Sequence, residues 1–298
     1  MLLLVGGTGN LGGRIARRLE AHGLPFRALV RRQTEPGALA DVATEIVRGD
    51  LRDPASLRIA LEGIDTVVAS AHSLDRIMAR HGDVSIQTVD REGYRSLVSI
   101  AAEAGVRRFV YVSFPGVILE SATPFAQAKL ATEELLKASP MHEVIVRPDA
   151  YQEPWLSRER GFDWRSGRVV IFGRGDGQAS YVAMDDVAEA IVRLTAMPDP
   201  PRMVEFGGPE MMTRNELAAA FETALGTRLR RRHVPRLAMR AGSTALRPIH
   251  PALSSVLGMG LSLDDRAVAP DDTVLRDLGI QARPVSSYIR DLVAAERR

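Results

Sequence analysis

A chain of 298 residues, 45% hydrophobic and 26% charged, with 25 glycines and 17 prolines, has ordinary globular composition, which excludes disordered, collagen-like and coiled-coil proteins. It is long enough for about two domains, or for one large α/β lobe with a smaller one appended. A formal net charge of +2 is too small to steer nucleic acid globally, and the absence of cysteine excludes disulfides, thiolate nucleophiles and Cys-ligated metals.

From the first residue, short aliphatic runs alternate with longer segments of helical period, the pattern of βαβ units building a parallel sheet. Strands are expected at 2–5, 26–30, 45–47, 66–69, 109–112 and 143–146, with helices at 11–21, 54–61, 88–104 and 124–138. Gly23 and Gly105 stand where left-handed helix caps fall, each just before the next strand. Beyond Pro148 the regularity weakens. Residues 169–172 and 179–182 read as a strand–turn–strand around the glycine-rich 173–177, and Asp185 or Asp186 is placed to cap a helix through 195. A linker is expected at 197–201, followed by helices at 214–225, 236–246 and 285–295.

The strongest motif lies between the first strand and the first helix, where Gly6, Gly9 and Gly12 are spaced G-x-x-G-x-x-G. That spacing provides a tight turn, backbone bare enough for a pyrophosphate to approach, and close helix–strand contact, with the phosphate on the helix N-terminus. Gly6, Thr8, Gly9, Asn10, Leu11 and Gly12 are therefore candidate dinucleotide contacts; a merely structural turn is the competing reading. About twenty residues beyond Gly12, where an Asp or Glu would bind the ribose 2′-hydroxyl of NAD, stand Arg31 and Arg32. Guanidinium groups suit a 2′-phosphate, so NADP(H) is preferred over NAD(H), against the alternative of two solvated arginines. Asp50, with Leu51 beside it, follows the third strand and is placed near the adenine amino group, or in a plain turn. Ser70, Ala71 and His72 after the fourth strand, and Ser113 after the fifth, fall at the carboxyl edge where doubly wound sheets bind ligands.

Together with Val89-Asp90-Arg91-Glu92-Gly93, Ala104-Gly105-Val106-Arg107-Arg108, Val146-Arg147-Pro148, Met184-Asp185-Asp186-Val187-Ala188 and Gly207-Gly208-Pro209-Glu210, these elements resemble the atypical short-chain dehydrogenase/reductase superfamily, and within it the NmrA-like group, over residues 1 to about 235. The resemblance implies a doubly wound (Rossmann) parallel sheet binding NAD(P), with a smaller C-terminal substrate lobe. The expected division is 1–150 for the NAD(P)-binding domain and 151–298 for a mixed region that completes the sheet and forms that lobe. Reductases of the superfamily commonly use Tyr-x-x-x-Lys after the fifth strand. Here the segment reads Phe125-Ala126-Gln127-Ala128-Lys129, and Phe125 has no proton to give. Lys129 keeps the register in a chain whose 39 basic residues include only one other lysine, Lys137. The resemblance assigns it the nicotinamide ribose, with proton transfer if burial depresses its pKa; a solvated helix lysine is the alternative. It also places Tyr151 and Trp155 beside the nicotinamide, making Tyr151 the candidate substitute phenol, unless it is a core aromatic. Lys129, Tyr151 and Ser113 are thus the candidate catalytic residues.

Other signals are weaker. Arg174-Gly175-Asp176 reads as a hairpin turn, and the six histidines (His22, His72, His81, His142, His233, His250) show no metal-ligand spacing, so no metal is expected. Residues 221–250 carry seven arginines against Glu222, but Arg228-Leu229-Arg230-Arg231-Arg232-His233 lacks interleaved aromatics and sits before Pro235 where a strand is expected, so no nucleic-acid partner is assigned. Leu253, Val256, Leu257, Met259 and Leu261 form an apolar set that is core or lines a substrate cleft. No stretch approaches the ~20 apolar residues of a membrane span, and a cytoplasmic address is the default expectation. The function expected is an NAD(P)H-dependent oxidoreductase reducing a small conjugated acceptor such as a quinone; a non-catalytic NADP(H)-sensing regulator, a type the NmrA-like group also includes, is the alternative. The partner is a small-molecule substrate, and the oligomeric state is open.

Overall fold

Near-continuous Leu, Val and Ile runs become strands whose two faces are both covered, the usual condition of a parallel sheet packed between helices. The computed structural model describes residues 1–79 and 84–296; His81 lies outside them. Its strands are β1 (Leu2–Val5), β2 (Phe26–Val30), β3 (Glu45–Arg48), β4 (Thr66–Ala69), β5 (Arg108–Val112), β6 (His142–Pro148), β7 (Phe162–Asp163), β8 (Arg168–Phe172), β9 (Ala179–Ser180), β10 (Met203–Phe206), β11 (Met211–Met212) and β12 (Arg230–Val234). Seven of them form one sheet in the order β10-β6-β5-β4-β1-β2-β3. β1 pairs in parallel with both β2 and β4, Leu2 standing opposite Phe26 on one side and Thr66 on the other. The chain therefore reverses its direction of winding at β1 and β4, and a doubly wound sheet opens a crevice at the carboxyl ends of such a pair.

The chain divides into two compact units. The first comprises Met1–Phe114, Pro124–Arg147 and Ala188–Val204. Its core joins Leu3, Val5, Val67, Ala69, Phe109 and Tyr111 of the sheet to Leu57, Leu61, Leu97 and Ala101 of the covering helices. Helix Asn10–Ala21 buries Leu11, Ile15, Ala16 and Leu19 at helical spacing, and Gly23 (φ 66°) ends it in the left-handed region, as its position implies. Helix Pro54–Leu61 starts on an Asp53 cap whose carboxylate accepts from the Ala55 and Ser56 amides at 3.1 and 3.4 Å.

The expected single helix at 88–104 is instead two pieces. A π-helical segment, Ile86–Gly93, opens on a Ser85/Thr88 capping box and passes into α-helix Tyr94–Glu103. Gly93 is required at the joint, because a Cβ there would lie 2.9 Å from the Leu51 Cβ.

The second unit comprises Pro115–Thr123, Pro148–Val187 and the described part of Glu205–Arg298. Phe162, Trp164, Val169, Ile171, Tyr181, Leu217, Phe221 and Ile289 form its core. The hairpin expected across 173–177 does not form: β8 pairs antiparallel with β7 and parallel with β12, while β9 pairs with β11. The glycine-rich loop wraps a carboxylate instead, the Arg174 and Gly175 amides donating to Asp264 at 3.1 and 2.7 Å. Asp185 and Asp186 fall within the first turn of helix Met184–Ala196 rather than at its cap, and the Glu153 carboxylate accepts from the Met184 amide at 3.1 Å. The strand expected before Pro235 is present as β12. In helix Pro251–Asp264 the buried residues are Ala252, Ser254, Ser255, Gly258, Met259, Gly260 and Asp264, while Leu253, Val256, Leu257 and Leu261 are half-buried. Among the described residues, no helix is long and apolar enough to cross a membrane.

Candidate functional site

The turn after β1 is shaped by what its glycines lack. Gly6 adopts φ 97°, and a Cβ there would sit 2.6 Å from the Ala71 amide nitrogen. A Cβ at Gly12 would lie 2.0 Å from the Gly6 carbonyl oxygen. The loop therefore folds back on itself, with the Gly9 amide donating to the Gly6 carbonyl at 2.9 Å and the Gly13 amide to the Gly9 carbonyl at 2.8 Å. Helix Asn10–Ala21 begins at Gly9 with no side-chain cap and no acid in its first turn, so its positive end has no carboxylate of its own. Thr8, Gly9 and Asn10 are exposed, while Leu11 and Gly12 are buried beneath them. This bare, turned backbone on an uncapped helix end fits a pyrophosphate.

The residues after β4 line the same turn. Ser70 donates its amide to the Val5 carbonyl at 3.0 Å, and the Tyr94 hydroxyl donates to the Ala71 carbonyl at 2.6 Å. His72 is exposed, and its ring meets Phe125 edge-on with centroids 5.9 Å apart. Phe125 is itself fully buried against Phe114 at 5.4 Å. The position at which the resemblance leads one to expect a tyrosine is thus a packed hydrocarbon ring.

One turn further along helix Pro124–Lys137, Lys129 is buried, and its ammonium donates to the Val112 carbonyl at 2.9 Å. The rings of Tyr94, Tyr111, Phe114 and Phe125 surround it, with Tyr111 nearest at 4.7 Å. Burial pulls its pKa down to about 8, opposed by the negative charges of Asp90 and Glu133. Asp90 is buried too, accepting from the Ser73 amide at 3.2 Å and from its hydroxyl. Desolvation pushes the Asp90 carboxyl up to about 6, against the Ser73 hydrogen bonds and the Lys129 charge. Ser113 donates to Glu133 Oε1 at 2.6 Å, and Arg147 grips the same carboxylate from Nε at 3.1 Å and Nη2 at 2.5 Å. Lys129 and Ser113 therefore belong to one buried polar layer under the carboxyl edge of the sheet.

Asp90 and Arg147 entered the sequence reading only within segments that carry the resemblance, without a role, and Tyr94 and Glu133 did not enter it. A signal was present: Asp90 shares the buried helical face of Ile86 and Tyr94, and Glu133 that of Phe125 and Lys129, where an unpartnered carboxylate is costly.

At the far side of the turn, Arg31 is half-buried and Arg32 exposed at the end of β2. Asp50 is held below the usual carboxylate range, chiefly by Arg52, whose Nε and Nη2 reach its two oxygens at 2.9 and 2.8 Å, with a smaller contribution from Arg31. Leu51 is buried over Gly93. Tyr151 lies in the second unit, bridged to Val182, and burial pushes its phenol well above the ordinary value.

Residues 6–198 match the model of the NAD(P)H-binding family. The chain belongs to that family. It is 31% identical over 253 residues to (4-alkanoyl-5-oxo-2,5-dihydrofuran-3-yl)methyl phosphate reductase of Streptomyces griseus, covering 84% of this chain and 82% of that protein. It is 34% identical over 220 residues to sterol demethylase protein B of Methylococcus capsulatus; the match covers 65% of each chain, so just under two thirds of that relative is spanned. Among solved structures it resembles the NADPH-dependent quinone oxidoreductase of Escherichia coli complexed with NADPH, with a TM-score of 0.78 and 21% identity over 98% of this chain and 99% of that one.

Proposed function

We propose that this protein is an NADPH-dependent reductase that delivers hydride to a small conjugated acceptor such as a quinone. The observation that carries the reading is the pair Phe125 and Lys129: the helix keeps a buried cation in the register of the reductase lysine and replaces the phenol with a packed ring. NADPH, when bound, supplies the hydride. Reduction of a simple ketone leaves an alkoxide that needs a donor at hand. A quinone spreads the charge, and its hydroquinone anion takes a proton from water, so orientation of the two π-systems is the main requirement.

In this reading the Gly6–Gly12 turn and the uncapped helix end hold the pyrophosphate, Ser70, Ala71 and His72 border it, and Lys129 lends positive charge from a water-poor layer. Support for reduction also comes from the names borne by the Streptomyces and Escherichia proteins. The test is steady NADPH oxidation by purified protein challenged with a panel of quinones. Absence of turnover with every acceptor, while NADPH still binds, overturns the proposal in favour of an NADP(H)-sensing regulator, a role compatible with the missing phenol.

Preference for NADPH over NADH rests on Arg31 and Arg32 at the end of β2. Each charge-assisted hydrogen bond contributes ~1.5–3 kcal/mol, so Arg31→Asp with Arg32→Ala is expected to weaken NADPH by about one to two decades and to reverse the order of the two cofactors. Equal calorimetric affinities for both cofactors before and after the change would remove the assignment.

A further inference from the structure

We infer that the outer face of helix Arg236–Ala245, with the turn that follows it, docks this protein on an anionic lipid surface through Leu237, Arg240, Arg247 and Ile249. This inference does not depend on the cofactor reading, because every residue of that face lies in the second unit. Between Glu222 and Asp264 the chain carries seven arginines and no acid, whereas the rest holds 32 basic residues against 37 acidic ones. Positive charge is thus gathered in one segment of a nearly neutral chain.

Two of the seven arginines are neutralised where they stand. Arg231 Nη2 reaches Glu222 at 2.7 Å, and Arg236 pairs with both Asp264 and Asp265. Arg228, Arg230, Arg232, Arg240 and Arg247 are exposed and stand in no ion pair among the described residues, although the charges of Glu222 and Asp265 reach Arg228 and Arg240.

Helix Arg236–Ala245 buries Met239 and Ser243, four apart on one face. That face packs on helix Pro251–Asp264, whose Ser254 hydroxyl donates to the Ser243 carbonyl at 2.5 Å. Leu237, Ala241 and Thr244 fall on the opposite side at helical spacing, with Arg240 at its flank, and all four are exposed. Leu237 and Ile249 are each 80% exposed, more than any other large apolar side chain among the described residues. Between them, past the helix end, Arg247 donates to the Ala122 carbonyl at 3.3 Å.

Apolar side chains beside unpaired cations, on a helix whose other face is packed, suit a headgroup layer. The apolar tips enter the acyl boundary while the guanidinium groups stay among the phosphates. A second copy of the chain fits less well, since two-fold pairing of this face brings arginine to arginine. Nucleic acid fits less well too, because residues 223–263 include no Phe, Trp or Tyr to stack on bases and Leu237 and Ile249 would stay in water. Arginines that no neighbouring carboxylate fixes in place match mobile lipid headgroups better than the set positions of an acidic protein.

The test is co-sedimentation of the full chain with vesicles of phosphatidylcholine alone and of phosphatidylcholine mixed with phosphatidylglycerol. Binding is expected only to the mixed vesicles, and it should weaken as salt rises. An arginine at an anionic surface changes partition about fivefold, so Arg240→Gln with Arg247→Gln is expected to weaken binding ~25-fold. Leu237→Ser with Ile249→Ser keeps the charge and is expected to cost ~10-fold, with the protein still folded by circular dichroism. Arg276→Gln with Arg290→Gln removes the same charge from exposed positions on helices Thr273–Asp277 and Val285–Glu296, and should bind as wild type does. Equal binding to both vesicle types, or an equal loss in that control, overturns the assignment. Loss with the arginine pair but not with the Leu237 and Ile249 pair overturns it in favour of a polyanion. A lipid-free dimer that Leu237→Ser dissociates overturns it in favour of a second copy.

Discussion

Lys129→Met is expected to lower the NADPH-dependent rate by ~10²-fold while raising the melting temperature at neutral pH. Methionine keeps the length of the side chain among Tyr94, Tyr111, Phe114 and Phe125, so packing is retained and only the cation is lost. The rate should suffer because a charge in a water-poor layer stabilises developing negative charge far better than one in solvent. Stability should move the other way, with a sign fixed by the titration. Burial pulls the Lys129 pKa from 10.5 to about 8, so between those values the unfolded chain binds more protons than the folded one. Stability therefore rises with pH across that window in wild type, and Lys129→Met removes the rise. Asp90, pushed up to about 6, acts oppositely: between 3.8 and 6 the folded chain holds the extra proton, and its contribution falls as pH climbs. In wild type the rate should also decline above about pH 8. Thermal melts from pH 7 to 10.5 with parallel rate profiles check both halves; an unchanged rate in a variant that still binds NADPH makes Lys129 a structural cation only.

Gly12→Ala should abolish measurable NADPH binding, by at least ~10²-fold, and lower the melting temperature, although alanine is the better helix former by ~1 kcal/mol. The new methyl would lie 2.0 Å from the Gly6 carbonyl oxygen, 2.6 Å from its carbon and 2.9 Å from the Gly7 Cα. All three are backbone atoms of the glycine loop after β1, so relief requires the loop itself to move. Gly13→Ala is the control on the next residue. Its Cβ meets the Gly7 carbonyl at 3.5 Å, an ordinary contact, and the variant should bind NADPH normally with a slightly higher melting temperature. If calorimetry finds Gly12→Ala and Gly13→Ala indistinguishable, the loop does not govern the cofactor.

Much of the first unit is legible in the chain because its cause is local. A parallel strand covered on both faces is largely apolar, so β1, β2 and β4 read directly as mainly aliphatic runs, broken only by Arg27 and Thr66 near their starts. The glycine turn is equally local, since the atoms that exclude a side chain at Gly12 belong to residues six and five positions earlier. Set beside the Tyr-x-x-x-Lys spacing of the reductases that the sequence resembles, Phe125 likewise stands out as a departure. Residues 173–177 mislead for the complementary reason. Their glycines mark a tight turn, but the partner that shapes it is Asp264, some ninety residues away, so neighbouring strands do not predict it.

By itself, then, the sequence determined the doubly wound class and the glycine turn after β1, consequences of strict periodicity and of contacts within a few residues. Only the tertiary structure decided that Lys129 feels the charge of Asp90 across 39 positions, that Ser113 is tied to Glu133 and Arg147, and that the glycines of 173–177 wrap Asp264. Those outcomes depend on which charges become buried and which find partners once the chain has folded. Periodicity can place a charged residue on a buried face, but desolvation and pairing are settled by atoms brought from elsewhere in the chain.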